Sequence, residues 1–230
     1  MIRASLVLLV ACCARGRAEV PILSYHSVGE VASEYVVPLS AFEEQLDWLA
    51  AQRFRTVSLH DLAESRAGRA TLPPRAIVLT FDDGKSDALD VVVPSLRKRG
   101  MRATFFIITG RVGEPGFLTW QGVRALAAAG MEIGSHTRTH PRLPELADDV
   151  AEEELKISRI RLEAEIGRPV EALAYPYNSL RSRTESLAAA AGYRIAVAGS
   201  AHGSADLLRL RRFPVDGFTS LSTIQRATLR

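Results

Sequence analysis

A chain of 230 residues that is 47% hydrophobic is long enough for one well-buried domain, and it shows no internal repeat or low-complexity tract. Its formal charge of +3 comes from the first stretch: without residues 1–18, and so without Arg3, Arg15 and Arg17, 26 basic residues stand against 26 acidic ones. With no clustered basic face, nucleic acid is excluded as an expected partner. Both cysteines, Cys12 and Cys13, lie in that same stretch, so residues 19–230 can build neither a disulfide frame nor a thiolate metal site.

Residues 1–18 read as an export leader, because Arg3, a short apolar run and small residues follow in the order of a secretory signal. Gly16-Arg17-Ala18 offers a cleavage site. Leu9-Val10-Ala11-Cys12 offers instead a lipoprotein box, with Cys12 as a lipid anchor and the sole expected membrane contact. The apolar run is shorter than the roughly 20 residues that span a bilayer. The expected location is therefore periplasmic, secreted or lipid-anchored, against the plainer reading of a frayed N-terminus or a misplaced start. The expected organisation is a leader at 1–18 and one domain at 19–230.

A strand over 20–25 delivers His26. A helix over 41–52 follows, with Phe42, Leu46 and Leu49 at helical spacing, Ser40 as its cap and Trp48 as packing. A strand at 54–57, a helix at 59–66 and the central strand at 77–79 come next. The helix at 88–99 contains Pro94, which predicts a kink or break. The run 103–108 is continuously apolar, as in a sheet buried on both faces. A helix at 120–129, a strand at 131–134, a charged helix at 146–166, a strand at 170–175, a helix at 184–191, a strand at 195–198 and a last strand at 210–215 complete the pattern. The charges of the long helix read as a solvated face, Trp120 as packing against the alternative of a groove wall, and His60 as a surface residue. This alternation argues a parallel sheet with covering helices.

The central strand stops at Asp82-Asp83-Gly84. Two adjacent acids and a glycine read as a plain turn, or as two carboxylates at a strand end, where α/β proteins keep their chemistry. Adjacent acids ionise together when a cation sits beside them, and His136 and His140 can complete a metal site with one of them. The zinc-protease helix pattern is excluded, because residue 137 is Thr rather than Glu and Pro141 disfavours helical geometry at His140. Two imidazoles and one carboxylate leave an open coordination position, and the second carboxylate is free to act as a base.

Thr80-Phe81-Asp82-Asp83-Gly84, His136 to His140 and Tyr175-Pro176-Tyr177 resemble the first three motifs of the polysaccharide deacetylases, the NodB homology domain of carbohydrate esterase family four. The resemblance covers roughly residues 20–215. It implies an α/β fold, a single-domain distorted (β/α) barrel of about seven strands. It implies Asp82 as catalytic base and Asp83, His136 and His140 as ligands of one divalent metal ion, zinc first, with cobalt, nickel or iron as alternatives. It also implies that the Tyr177 N–H helps to hold the oxyanion while Pro176 and the Tyr177 ring line the groove.

Three departures qualify it. The C-terminal Leu-x-His element that supplies the acid is absent; Tyr25-His26 resembles its counterpart in a circularly permuted branch that includes poly-β-1,6-N-acetylglucosamine deacetylases, with His202 as competitor. Ala174 stands where an arginine usually pairs with the base; Arg212 is the substitute candidate, against the plainer reading of a surface ion pair. Asn178 replaces a glycine, a mild change since Asn tolerates left-handed geometry. Asp206 and Asp216 are candidates to orient His26. The expected function is removal of N-acetyl groups from an exported polysaccharide. Sugar O-acetyl esterase, chitin or peptidoglycan deacetylase, and a glycan-binding module with a degenerate site are the alternatives.

Overall fold

The computed structural model describes residues 19–199 and 206–229. The elements in order are β1 (Ile22–Tyr25), β2 (Ser27–Gly29), β3 (Val36–Pro38), α1 (Leu39–Ala51), β4 (Arg55–Thr56), α2 (Leu59–Arg66), β5 (Ala76–Phe81), α3 (Val93–Arg97), β6 (Thr104–Ile107), α4 (Trp120–Ala128), β7 (Glu132–Ser135), α5 (Asp148–Ile166), β8 (Ala172–Ala174), α6 (Ser182–Ala190), β9 (Ile195–Ala198), β10 (Leu210–Arg211), β11 (Phe213–Pro214) and α7 (Leu221–Thr228). No helix among the described residues is long and apolar enough to cross a membrane.

The main sheet runs β10-β9-β8-β7-β6-β5-β1-β11 with every pair parallel, and β4 pairs with the start of β5. Its two edges are halves of one segment. Leu210 and Arg211 pair with Val197 and Ala198, whereas Phe213 and Pro214 pair with Leu23 and Ser24. The expected single strand at 210–215 is thus split at Arg212, and the sheet curls into a barrel with that residue at its seam. The segment must serve two neighbours in turn, because the first and last long strands are not adjacent without it. Counting the split segment once, the α/β barrel has seven staves.

Alternation along the strands sorts residues into two apolar clusters. Leu23, Tyr25, Ile77, Leu79, Phe81, Phe105, Ile107, Leu173 and Ala196 face the outer helices. Ile22, Val78, Phe106, Ala172, Ala174, Ile195, Val197 and Leu210 fill the interior, joined by Leu59, Leu62 and Ala63 of α2. The interior is narrow enough to require small residues. A Cβ on Gly134 would lie 2.5 Å from the Phe106 ring.

Two local expectations are corrected. The residue before α1 is Pro38, not Ser40, which falls inside the first turn; Pro38 ends β3 at φ −55° and ψ 137° and leads directly into the helix. The helix expected at 88–99 begins as a π-type turn, Ala88–Val92, and α3 starts at Val93. Pro94 then sits in a first turn, where its missing N–H is not needed.

Candidate active site

All barrel strands are parallel, so their C-terminal ends share one rim. An open cavity there, about 690 Å³, is lined by residues that include His26, Asp82, Asp83, His136, His140 and Tyr177.

Asp82 follows β5 and points inward. It is 4% exposed and Arg212 is 2% exposed. The guanidinium meets the carboxylate with two parallel bonds, Nη1 to Oδ1 at 2.7 Å and Nη2 to Oδ2 at 2.7 Å. Nη1 also donates to Thr80 Oγ1 at 3.1 Å. Arg212 is therefore a buried partner of Asp82, which overturns the surface-pair reading. Ala174 leaves room for this: its short side chain faces the interior, and the cation enters from the seam instead. Burial alone would raise the Asp82 carboxyl, but the Arg212 charge and hydrogen bonds, with help from His136 and His26, hold it far below the usual carboxylate range.

Asp83 turns the other way, at φ 73°, with Gly84 at φ 75° completing the bend. Its Oδ2 lies 3.3 Å from Lys85 Nζ, and its Oδ1 lies 3.7 Å from His136 Nε2 and 3.9 Å from His140 Nε2. The two Nε2 atoms are 3.2 Å apart. These separations suit one tetrahedral ion, since bonds of roughly 2.0–2.1 Å put neighbouring ligands about 3.3 Å apart. His136 Nδ1 lies 2.8 Å from the Ala174 carbonyl, which fixes Nε2 as the free lone pair. Burial pushes the His136 imidazole down, and burial with the neighbouring His136 pushes His140 down to about 4. Both rings are thus neutral at pH 7, as metal ligation requires.

The loop carrying the histidines is held from beneath by a residue that the sequence reading assigned to a solvated face. Glu154 of α5 is buried and accepts from Arg138 N at 3.0 Å, Thr139 N at 2.8 Å and Thr139 Oγ1 at 2.8 Å. Its signal was a charged residue on the inward stripe with Ala151, Leu155, Ser158 and Leu162. The His140 N–H donates to Thr137 Oγ1 at 3.0 Å, closing a turn rather than a helix, as expected from Pro141.

Pro176 opens a tight turn in which Tyr177 has φ 56° and Asn178 φ 53°. Seven described non-glycine residues have positive φ, and Asp83, Thr137, His140, Tyr177 and Asn178 are all at this rim. Such strain persists only where the surroundings enforce it. The Tyr177 ring lies 4.6 Å from His140 and is covered by the Arg142 guanidinium at 4.3 Å.

His26 lies between β1 and β2, half-buried, with its ring edge-on to Tyr35 at 5.3 Å. Asp216 lines the same cavity, but its Oδ1 accepts from Phe218 N and Thr219 Oγ1. Asp206 caps the turn at Leu207–Arg209. His202 and Cys12 lie outside the described residues. Trp120 packs against the outer cluster and under Arg161, so packing is its role.

A parallel barrel with an Asp–His–His cluster beside a separately paired carboxylate is the layout of a hydrolase site. The sequence profile of the family described as polysaccharide deacetylase matches residues 69–196, more than half of the chain, and the protein belongs to that family. YxkH of Bacillus subtilis is 28% identical over 180 residues, covering 78% of this chain and 64% of that protein. The poly-β-1,6-N-acetyl-D-glucosamine N-deacetylase of Escherichia coli (strain K12) is 31% identical over 134 residues, covering 50% of this chain and 20% of that one. The chain thus spans less than two thirds of the length of either relative. The deacetylase PplD of Streptococcus pyogenes, solved with acetate, superposes with a TM-score of 0.83 at 26% identity over 91% of this chain and 97% of that one. The family match contains Asp82, Asp83, His136, His140 and Tyr177 but neither His26 nor Arg212.

Proposed function

We propose that this chain is an exported, metal-dependent deacetylase that removes N-acetyl groups from N-acetylglucosamine units of an extracellular or cell-wall polysaccharide. Poly-β-1,6-N-acetylglucosamine is the favoured polymer, on the similarity to the Escherichia coli enzyme. Residues 19–230 would be the catalytic domain and residues 1–18 its leader. The observation that carries the reading is the division of labour between adjacent acids, Asp83 toward two neutral histidines and Asp82 toward Arg212.

A divalent ion held by Asp83, His136 and His140, zinc or else cobalt, nickel or iron, would polarise the acetyl carbonyl and acidify water enough for a weakly basic carboxylate to take its proton. Asp82 is that carboxylate, kept ionised by Arg212. The Tyr177 N–H donates to the oxygen that gains negative charge, and Pro176 sets the turn that presents it. His26 gives a proton to the departing sugar amine. Water is consumed, and the products are acetate and a glucosamine unit.

The missing arginine at Ala174 is the motive for the competing reading, a glycan-binding module with a dead site. Arg212 beside Asp82 removes that motive. Acetate release from a partly acetylated glucosamine polymer, abolished by chelator and restored by zinc or cobalt, tests the proposal. Asp82→Asn should lower turnover about 10²–10⁴-fold, the range general-base catalysis supplies. Undiminished turnover would remove Asp82 as the base. Chitin, peptidoglycan and an O-acetylated sugar belong in the same panel, since one site can cleave either acyl link.

A further inference from the structure

The chain leaves the barrel at His26. Upstream, β1 is locked between β5 and β11. Downstream, β2 belongs to a separate two-stranded sheet with β3, three residues each. An imidazole at such a junction is placed by its backbone on both sides, and the downstream side is the weakly held one. There the Ser27 N–H donates to the Tyr35 carbonyl at 3.0 Å, and Tyr35 is itself 55% exposed.

The other anchor is a carboxylate. Ser27 Oγ donates to Asp87 Oδ1 at 2.8 Å and Val28 N donates to Asp87 Oδ2 at 2.8 Å. Both oxygens of one side chain therefore grip the two residues that follow His26. Asp87 lies five positions after Asp82 on the same loop. Its backbone opens the π-type turn Ala88–Val92, whose Ala88 and Val92 are buried in the outer cluster. Turns of this type recur at functional sites, and here the extra residue in the turn lies next to the residue that grips β2.

We infer that Asp87 is the positioning residue for His26: it ties the strand that carries the proton donor to the loop that carries Asp82 and Asp83. The inference rests on the proposed role of His26. It explains how a donor from the far N-terminus is held in register with a base some fifty residues later, with no direct bond between them. Asp87 itself exchanges no proton.

The test is a double-mutant cycle on the full chain loaded with zinc, read as acetate release, with metal content and melting temperature measured in parallel. Asp87→Ala should lower kcat about 10²-fold, the cost of misplacing a catalytic group by around 1 Å, with zinc content unchanged. In a His26→Ala background the same substitution should have no further effect, because the group it positions is gone. Ser27→Ala, which removes one of the two bonds, should lose less and show the same dependence on His26; it replaces Asp87→Ala if that variant fails to fold. An equal loss in both backgrounds, or no loss in either, overturns the inference while leaving His26 as donor. If His26→Ala itself keeps full turnover, the donor assignment falls and Asp87 falls with it.

Discussion

The two rims of the barrel are built from similar residues and used in opposite ways. At the N-terminal rim a network of charges is paired within itself. Glu132 accepts from Leu59 N at 2.8 Å and His60 N at 2.9 Å, which seats α2 under the interior. His60 Nδ1 and Glu171 are 2.9 Å apart, Arg194 bridges Glu171 and Glu64, and Glu64 also holds Arg69. At the C-terminal rim Asp83, His136 and His140 converge on one point and do not neutralise one another. Polar groups that satisfy each other fasten a fold; lone pairs that converge on one point suit a ligand. In a parallel barrel the second kind gathers at the C-terminal ends, where loops are free to vary.

Substitutions that cross this division should reveal it. Arg212→Met should have the largest effect, since it strips the partner from a buried carboxylate; a loss of about 3–5 kcal/mol in urea unfolding is expected, together with most turnover. Little change in stability would mean that Asp82 is hydrated and that the seam is open. Glu154→Gln should leave the fold in place while metal affinity, followed by competition with a chromophoric chelator, drops about 10–100-fold, as for other groups that orient ligand loops.

A pH series separates the rims without mutation. His140 titrates at about 4 in the folded, metal-free protein against an ordinary 6.5, because burial and His136 oppose its charge. Between those values the unfolded chain binds a proton that the folded chain refuses. Stability is therefore full above pH 6.5 and falls as the pH drops toward 4. The unfolding midpoint of metal-free protein should follow that slope, and His140→Gln should reduce it to the part that buried His136 contributes. Arg194→Met, at the paired rim, should have the smallest effect: partly exposed ion pairs contribute about 0–1 kcal/mol, so the melting temperature should dip slightly while turnover and zinc content hold. A drop in turnover there would show that the rims are coupled.

Legibility followed the same line. Asp82, Asp83, His136 and His140 were readable because each sits within a few residues of a strand end, and strand ends can be located from apolar runs and glycines. His136 and His140 belong to one turn, which Pro141 announced. Glu154, Asp87 and Arg212 act at a distance in sequence, 15, 59 and 130 positions from the groups they hold. No periodicity links such pairs. The tie from Asp87 to β2 was invisible for a further reason: an aspartate after a glycine-containing turn looks like more turn.

The sequence alone determined most of the alternation of strands and helices, though not β2, β3 or α7, and it put Asp82, Asp83, His136 and His140 near strand ends, because local propensity and short spacing encode them. Tertiary structure alone decided that residues 210–214 close the barrel as two half-strands with Arg212 between them. The physical reason is that closure joins β9 to β1, so the conformation of that segment depends on both neighbours at once. The same closure brings a cation from the end of the chain to a carboxylate near its middle, where Ala174 leaves the space for it.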